Sequence, residues 1–182
     1  MSATKSKVLL VVPFLALVPL TAGAALGPAS QSSVTFDAAG PGGMKIEGTT
    51  KALAVREDGP DVRVTVALDG LATGIALRDR HMREKYLEVA KYPTAEFVVP
   101  RGNLQFPKAG AVSGDADGTI TIHGVSRPAK IHYTARPGQD GIDVTGATQV
   151  KMTDFGINVP SYLGVTVKPN VDIAVTFHTK DS

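Results

Sequence analysis

Apolar and polar residues alternate with a period of two through much of the chain, and this pattern constrains the fold most. Val62, Val64 and Val66 alternate with Arg63 and Thr65. Similar alternation recurs in four later segments: 119–123, 129–135, 142–152 and 171–178. Because successive side chains of a strand point to opposite faces, each segment predicts a β-strand with one apolar and one polar face.

Turn-forming residues separate these segments. They occur at 58–60, 107–110, 117–118 and 137–141. The apolar phase shifts once, within residues 44–55, from Met44 and Ile46 to Leu53 and Val55, and a bulge at Gly48 would produce that shift. With short strands at 34–36 and 96–99 the count reaches about eight. Regular strands with turns between them predict an all-β sandwich or barrel.

One helix is predicted, over residues 78–90, because Met82, Tyr86 and Val89 fall on a single helical face. Asp79 is the expected N-cap. Two acid–base pairs four residues apart lie on the opposite side: Asp79–Arg83 and Arg80–Glu84. The pattern is typical of a surface helix that closes one end of a barrel.

The first 24 residues have the composition of a secretory signal. Lys5 and Lys7 precede the apolar run 8–20, which is shorter than the roughly 20 residues that span a bilayer. Ala22-Gly23-Ala24 then fits signal peptidase, so cleavage is expected after Ala24. The alternative is an uncleaved anchor, which Pro13 and Pro19 disfavour because they interrupt the run. We therefore expect a periplasmic or secreted protein without a stable membrane anchor.

Charge and length limit what the remaining residues 25–182 can do. The whole chain has 19 basic and 17 acidic residues, and removing Lys5 and Lys7 leaves 17 of each. A neutral chain without a basic tract has no electrostatic basis for binding nucleic acid. Cysteine is absent, so there are no disulfides. The length fits a single domain that buries its own core.

Two motifs and a shorter late segment stand out. The first motif extends from Thr73 to Phe97 and includes the charged helix and Tyr92-Pro93. The second is Gly118–Pro128, GTITIHGVSRP, and the late segment is Asp154-Phe155-Gly156-Ile157. Together they resemble the YceI family of secreted, lipocalin-like barrels that bind polyisoprenoid lipids, and the resemblance covers about residues 31–179. It implies an eight-stranded antiparallel lipocalin-like β-barrel with one short helix between strands, and a polyisoprenoid or another long-chain lipid as partner.

Inward-facing residues of such a barrel are the candidate ligand contacts. Small residues on the apolar face, Gly146 and Thr148, would leave room in the lumen, where each buried CH₂ contributes about 0.8 kcal/mol. The period-two spacing predicts twelve lumen residues: Val64, Val66, Phe97, Ile120, Ile122, Ile131, Tyr133, Val144, Val150, Ile173, Val175 and Phe177.

Two hypotheses account for the cationic side chains of the charged helix. Arg78 and His81 are candidate contacts for a polar lipid head, because a buried charge needs a partner. Arg78 begins the predicted helix next to a strand end, and its guanidinium can grip a phosphate with two hydrogen bonds. In the alternative reading, Arg78 and Asp79 only fasten the helix to the barrel.

Enzymatic chemistry has little support in the sequence. The histidines lack metal-ligand spacing, and no cofactor or metal is expected. His123, His132 and His178 fall on polar strand faces and are expected to be exposed. Ser126 and Ser161 lack the Gly-x-Ser-x-Gly elbow of a serine hydrolase.

We therefore expect an exported, non-enzymatic protein that carries or sequesters a polyisoprenoid or similar long apolar chain. Two alternatives stay open. One is an enzyme that acts on such a lipid through His81 and a nearby carboxylate. The other is an envelope or stress protein whose packed barrel has no ligand. The sequence also leaves a homodimer open.

Overall fold

The alternating segments form strands of one antiparallel sheet. The computed structural model describes residues 29–162 and 165–180, and the predicted signal sequence lies outside them. Its strands are β1 Ser30–Ala39, β2 Lys45–Thr50, β3 Leu53–Asp58, β4 Asp61–Ala67, β5 Thr94–Pro100, β6 Val112–Ile122, β7 Val125–Pro137, β8 Ile142–Lys151, β9 Ser161–Tyr162, β10 Val165–Thr166 and β11 Asn170–Thr179.

The main sheet has nine strands in the order β2-β1-β11-β8-β7-β6-β5-β4-β3. Its two outer strands, β2 and β3, are consecutive in the chain and separated by Lys51 and Ala52 alone. The sheet therefore curls towards a barrel. The all-β antiparallel barrel is confirmed, with nine strands instead of eight because 45–58 is divided in two. The short strands β9 and β10 form a separate hairpin.

The phase shift in this divided strand lies at Lys51-Ala52 and not at Gly48. Gly48 stays in regular register with Phe36 of β1. A Cβ on Gly48 would lie 2.1 Å from the Phe36 ring, so glycine is needed there for close packing. At the break, the carbonyl of Ala52 accepts a hydrogen bond from the Ala67 N–H at 2.9 Å. The predicted bulge at Gly48 was wrong.

The helix is shorter than predicted and starts earlier. Helix α1 spans Ala76–His81, and a π-helical turn continues over Met82–Tyr86. The N-cap is Ile75, which leaves Asp79 inside the helix, so the N-cap prediction was wrong. Glu88 adopts φ 45°, in the left-handed region, after the π-helical turn. Short 3₁₀ turns also occur in the described ranges, at Pro41–Gly43, Arg101–Asn103 and Met152–Phe155.

The connections between strands lie at the two ends of the barrel. At one end, which we call the helix end, lie segment 68–93 with α1, the β6–β7 turn, and residues 152–162 and 165–169. At the other end lie the β3–β4 turn, the β7–β8 turn and residues 101–111. We call this the strap end, because residues 104–106 form a strap across it. Buried Ile122, Phe155 and Ile157 fill the helix end, and Tyr86 and Leu87 pack against that core.

Within the described ranges, every helix is too short or too polar to cross a bilayer.

Candidate functional site

An apolar cavity lies inside the barrel towards the strap end. Inward residues of β3, β4, β5, β6, β7, β8 and β11 form its wall. They point inward because alternate residues of a strand share one face. Its volume is about 150 Å³. An apolar cavity of about that size accommodates one benzene-sized group, so a long chain must displace side chains to enter fully.

Most of the predicted lumen residues line this cavity. Nine of the twelve do so: Val64, Val66, Phe97, Ile120, Ile131, Tyr133, Val144, Val175 and Phe177. The other three, Ile122, Val150 and Ile173, belong to or pack against the hydrophobic core. The hydrophobic core continues from the cavity to the helix end, where side chains fill the interior. The period-two pattern marks inward residues in both regions, so it does not distinguish residues around the cavity from residues of the filled end.

Segment 104–106, which the sequence reasoning missed, closes the strap end. Leu104 and Phe106 turn into the cavity from an irregular connection, where no strand periodicity marks inward residues. The Tyr133 hydroxyl accepts a hydrogen bond from the Gln105 N–H at 2.7 Å and so holds this strap across the barrel. The Arg101 guanidinium lies 4.5 Å from the centre of the Phe106 ring and also contacts Glu57 at 2.6 Å.

Further lining residues come from strand positions that the prediction omitted. They include Val55, Val62, Ala95, Val99, Ala116, Ala135, Ile142 and Thr179. Gly146 is buried, and a Cβ there would meet Val175 at 3.1 Å and Ile131 at 3.3 Å. Thr148 instead donates its hydroxyl hydrogen bond to the Lys130 carbonyl at 2.9 Å. Gly146 therefore leaves space in the lumen, as expected, while Thr148 bonds to the neighbouring strand.

Arg78 belongs to a polar network that ties α1 to the segment before it. Its Nε donates to the Thr73 hydroxyl at 2.7 Å, and its Nη2 donates to the Thr73 carbonyl at 3.1 Å. Buried Asp79 accepts hydrogen bonds from both the hydroxyl and the N–H of Thr73. Arg83 donates to the Leu71 carbonyl at 3.0 Å. The network lies at the helix end, and the described lining of the cavity includes neither Arg78 nor His81.

The acid–base pairs predicted along the helix have other roles. Asp79 and Arg83 each bond to the 71–73 segment, as above. Arg80 and Glu84 are exposed, and no ion pair joins them in the described part of the chain. Two apolar residues near the start of the helix, Ile75 and Leu77, are also exposed.

Arg78→Ala is expected to lower the free energy of unfolding by about 1–2 kcal/mol, because it removes two hydrogen bonds from a charged donor. The melting temperature should fall by about 3–6 °C. The exposed Arg80 of the same helix provides a matched control, since surface substitutions stay within about 0.5 kcal/mol. Unchanged stability together with a lost preference for a phosphate head would instead assign Arg78 to head-group recognition.

Asp79 should make stability depend on acid pH. The Thr73 hydroxyl above all, then the Thr73 N–H and the charges of Arg83 and Arg78, hold the pKa of the Asp79 carboxyl below its ordinary value. The folded state therefore favours the ionised carboxyl, and this stabilisation is present above the unfolded pKa and lost as pH falls through the folded pKa. Comparing urea unfolding of wild type and Asp79→Asn at successive pH values should show their difference shrinking on acidification. A difference independent of pH would contradict this.

His123 fastens the β6–β7 turn to its neighbours. The turn residues His123 and Gly124 adopt φ 52° and 71°, in the left-handed region that a tight two-residue hairpin requires. His123 Nε2 lies 2.9 Å from Glu88 Oε2, and its ring is 4.5 Å from that of Tyr92. The prediction that His123 is exposed was wrong, because its turn folds back against 88–92.

The remaining strand histidines differ in exposure. His132 is exposed and contacts Asp115 at 3.0 Å, as the polar face predicted. His178 is buried, with Nδ1 2.8 Å from Asp143 and Nε2 3.1 Å from Asp140, so its predicted exposure was wrong. The β7–β8 turn covers it. Across residues 29–162 and 165–180, no three His, Asp or Glu side chains converge as metal ligands.

A curled antiparallel barrel with an apolar interior defines the class of this protein. The family model for the YceI-like domain matches residues 28–179, so the chain belongs to the YceI family. This confirms the resemblance carried by the two sequence motifs.

Relatives by sequence include the UPF0312 protein of Pseudomonas syringae pv. tomato, which is 30% identical over 138 residues. That match covers 72% of this chain and 68% of the relative. A UPF0312 protein of Pseudomonas fluorescens is 29% identical over 136 residues, covering 70% of this chain and 68% of the relative.

Solved structures share the fold at lower identity. A polyisoprenoid-binding domain from Saccharophagus degradans superposes with a TM-score of 0.72 at 17% identity, covering 87% of this chain and 99% of that domain. BcnA of Burkholderia cenocepacia gives a TM-score of 0.62 at 19% identity, covering 81% of this chain and 94% of BcnA.

Proposed function

We propose that this protein binds the apolar chain of a polyisoprenoid or similar single-chain lipid inside its barrel, without catalysing a reaction on it. The observation that carries the proposal is the cavity, whose lining consists mostly of aliphatic and aromatic side chains from seven strands and the strap, with Glu96, Gln105 and Thr179 as its polar members. The Saccharophagus domain of the same fold, described as polyisoprenoid-binding, supports the choice of ligand.

Growth of the cavity around the ligand is part of this proposal. The strap contributes Leu104 and Phe106 to the lining, and a side-chain hydroxyl, that of Tyr133, bonds its backbone at Gln105. Displacing the strap breaks the Tyr133 hydrogen bond, worth about 1 kcal/mol, together with the contact of Phe106 with Arg101 and the bond of Asn103 to the Asp117 carbonyl. Separating two strands would instead break a whole ladder of backbone hydrogen bonds. Each CH₂ that replaces these side chains adds about 0.8 kcal/mol of burial.

We also propose that the protein is exported and carries its lipid in the periplasm or outside the cell. The succession of Lys5 and Lys7, the apolar run 8–20 and Ala22-Gly23-Ala24 supports this. An exported protein in an aqueous compartment needs a shielded interior for such a lipid, and the barrel has one.

The enzymatic alternative through His81 gains no support from the geometry. A general acid or base must lie within hydrogen-bond reach of the reacting group. His81 is at the helix end, whereas the described cavity lies towards the strap end.

Isoprenoid alcohols of increasing length test the proposal. Affinity should rise from geraniol to farnesol to geranylgeraniol, because each added isoprene unit buries five more carbons. It should then stop rising once the lumen is full, with one lipid bound per chain. Calorimetric titration measures both quantities, and an affinity independent of chain length would contradict binding in the lumen.

A further inference from the structure

The barrel wall is incomplete between β7 and β8. Their ladder extends from Pro137↔Ile142 to His132↔Ala147 and stops there. Both strands continue beyond this point, β7 back to Val125 and β8 forward to Lys151. Residues 125–131 therefore pair with β6 on one side and have no ladder to β8 on the other.

Pro128 fits this open edge. Proline cannot donate a backbone hydrogen bond, so it is confined to edge strands and irregular positions of a sheet. β7 lies in the middle of the nine-stranded order, where proline is otherwise unfavourable. Two side-chain bonds span the gap in place of a ladder: Thr148 Oγ1 to the Lys130 carbonyl at 2.9 Å, and Arg127 Nε to the Asp154 carbonyl at 3.1 Å.

The gap opens into a cleft of about 630 Å³. Its apolar lining residues include Ala129, Val150 and buried Phe155. Charged side chains occupy its lining as well: Asp115, Arg127, Lys130, Lys151 and Asp154. A cleft lined by both apolar and charged residues suits an amphipathic ligand, whose tail goes inward while the head stays hydrated.

Ile120 connects this cleft to the lumen. It lines both the cleft and the interior cavity and is 7% exposed. Phe97, which pairs with Ile120 on the adjacent strand β5, also lines the cavity. The Ile120 side chain therefore lies at the boundary between the cleft and the cavity. It can change rotamer without breaking the hydrogen bonds of the β-ladder.

We propose that the β7–β8 cleft is a lateral entrance through which a single-chain isoprenoid lipid passes its tail into the lumen, leaving the polar head at the cleft. This inference depends on the proposed function, since it assigns a route and an orientation to the same lipid. In this arrangement the tail runs past Ile120 towards the strap, and the head lies among the charged residues of the cleft.

A matched pair of alanine substitutions tests the route. Ala147 lines the cleft at the last rung of the β7–β8 ladder. Its partner on β11, Ala174, is also exposed but is not among the residues that line the cleft. Ala147→Trp should slow association of a fluorescent polyprenyl alcohol in stopped-flow measurements, and Ala174→Trp should leave it unchanged. Ala129→Phe, at another residue of the cleft lining, provides a second obstruction.

Equal association rates for wild type and both obstructed variants would overturn the lateral entrance. Folding of each variant is checked by its melting temperature. If wild type binds the probe and Val66→Trp in the lumen abolishes that binding while the cleft variants behave as wild type, the proposed function stands and this inference fails. If wild type binds no probe, both fail.

Photo-crosslinking tests the orientation independently of the kinetics. A polyprenyl alcohol with a photoreactive diazirine next to its hydroxyl should label β7 and β8 around 127–132 and 147–151. A diazirine at the far end of the tail should label the strap at 104–106. Head-group labelling confined to the strap, or to α1 around Arg78 and His81, would overturn the orientation.

Discussion

Replacing Phe155 with alanine is expected to lower the free energy of unfolding by about 3–5 kcal/mol, the range for a buried phenylalanine truncated to alanine. Phe155 is 3% exposed and belongs to the core cluster that fills the helix end of the barrel. Its loss leaves a void between the 3₁₀ turn Met152–Phe155 and the strands below, because a close-packed interior collapses only in part. Urea unfolding measures the change.

Phe106→Ala is the control for this substitution. Phe106 lies on the strap and is only half-buried, so truncating it removes less buried apolar surface and should cost clearly less. A loss below about 1 kcal/mol for Phe155→Ala would show that the helix end does not depend on this ring.

Val66→Trp is expected to abolish or strongly reduce lipid uptake while the barrel still folds. Val66 lines the cavity and is only partly buried, so the indole extends into space that the lipid would occupy. A cavity of about 150 Å³ accommodates about one aromatic ring, so a single tryptophan side chain fills most of it. Fluorescence titration with a polyprenyl probe measures the loss.

Two further variants make this test specific to the lumen. Ala95→Trp adds the same ring from β5, directly across from Val66, and should also block uptake. Ala54→Trp adds it at an exposed position of β3, between the buried Leu53 and Val55, and should leave uptake unchanged. Full uptake by both lumen variants would place the lipid elsewhere.

The strands could be predicted because their side chains obey one local rule. Val62, Val64 and Val66 alternate with polar neighbours, and a period of two reports the buried face directly. The lumen set followed from the same rule, and nine of its twelve members line the cavity. The rule does not say how deep in the barrel a residue lies, so Ile122 could not be distinguished from residues around the cavity.

Features set by tertiary contacts were not visible in the sequence. Helical periodicity predicted a helix to residue 90, but it ends at Tyr86. Asp79 resembled an N-cap, yet Thr73 provides its hydrogen bonds from the preceding segment. His123 and His178 were assigned to polar faces, and loops that fold back over those faces contact both. The strap has no periodicity that would mark Leu104 and Phe106 as inward residues.

Native mass spectrometry of the protein purified from its own cell envelope tests the central claim most directly. The account predicts wild-type protein carrying one lipid with a long isoprenoid chain, and Val66→Trp protein purified in the same way without it. Wild-type protein that carries no lipid, or Val66→Trp protein that carries as much lipid as wild type, would contradict binding inside the barrel.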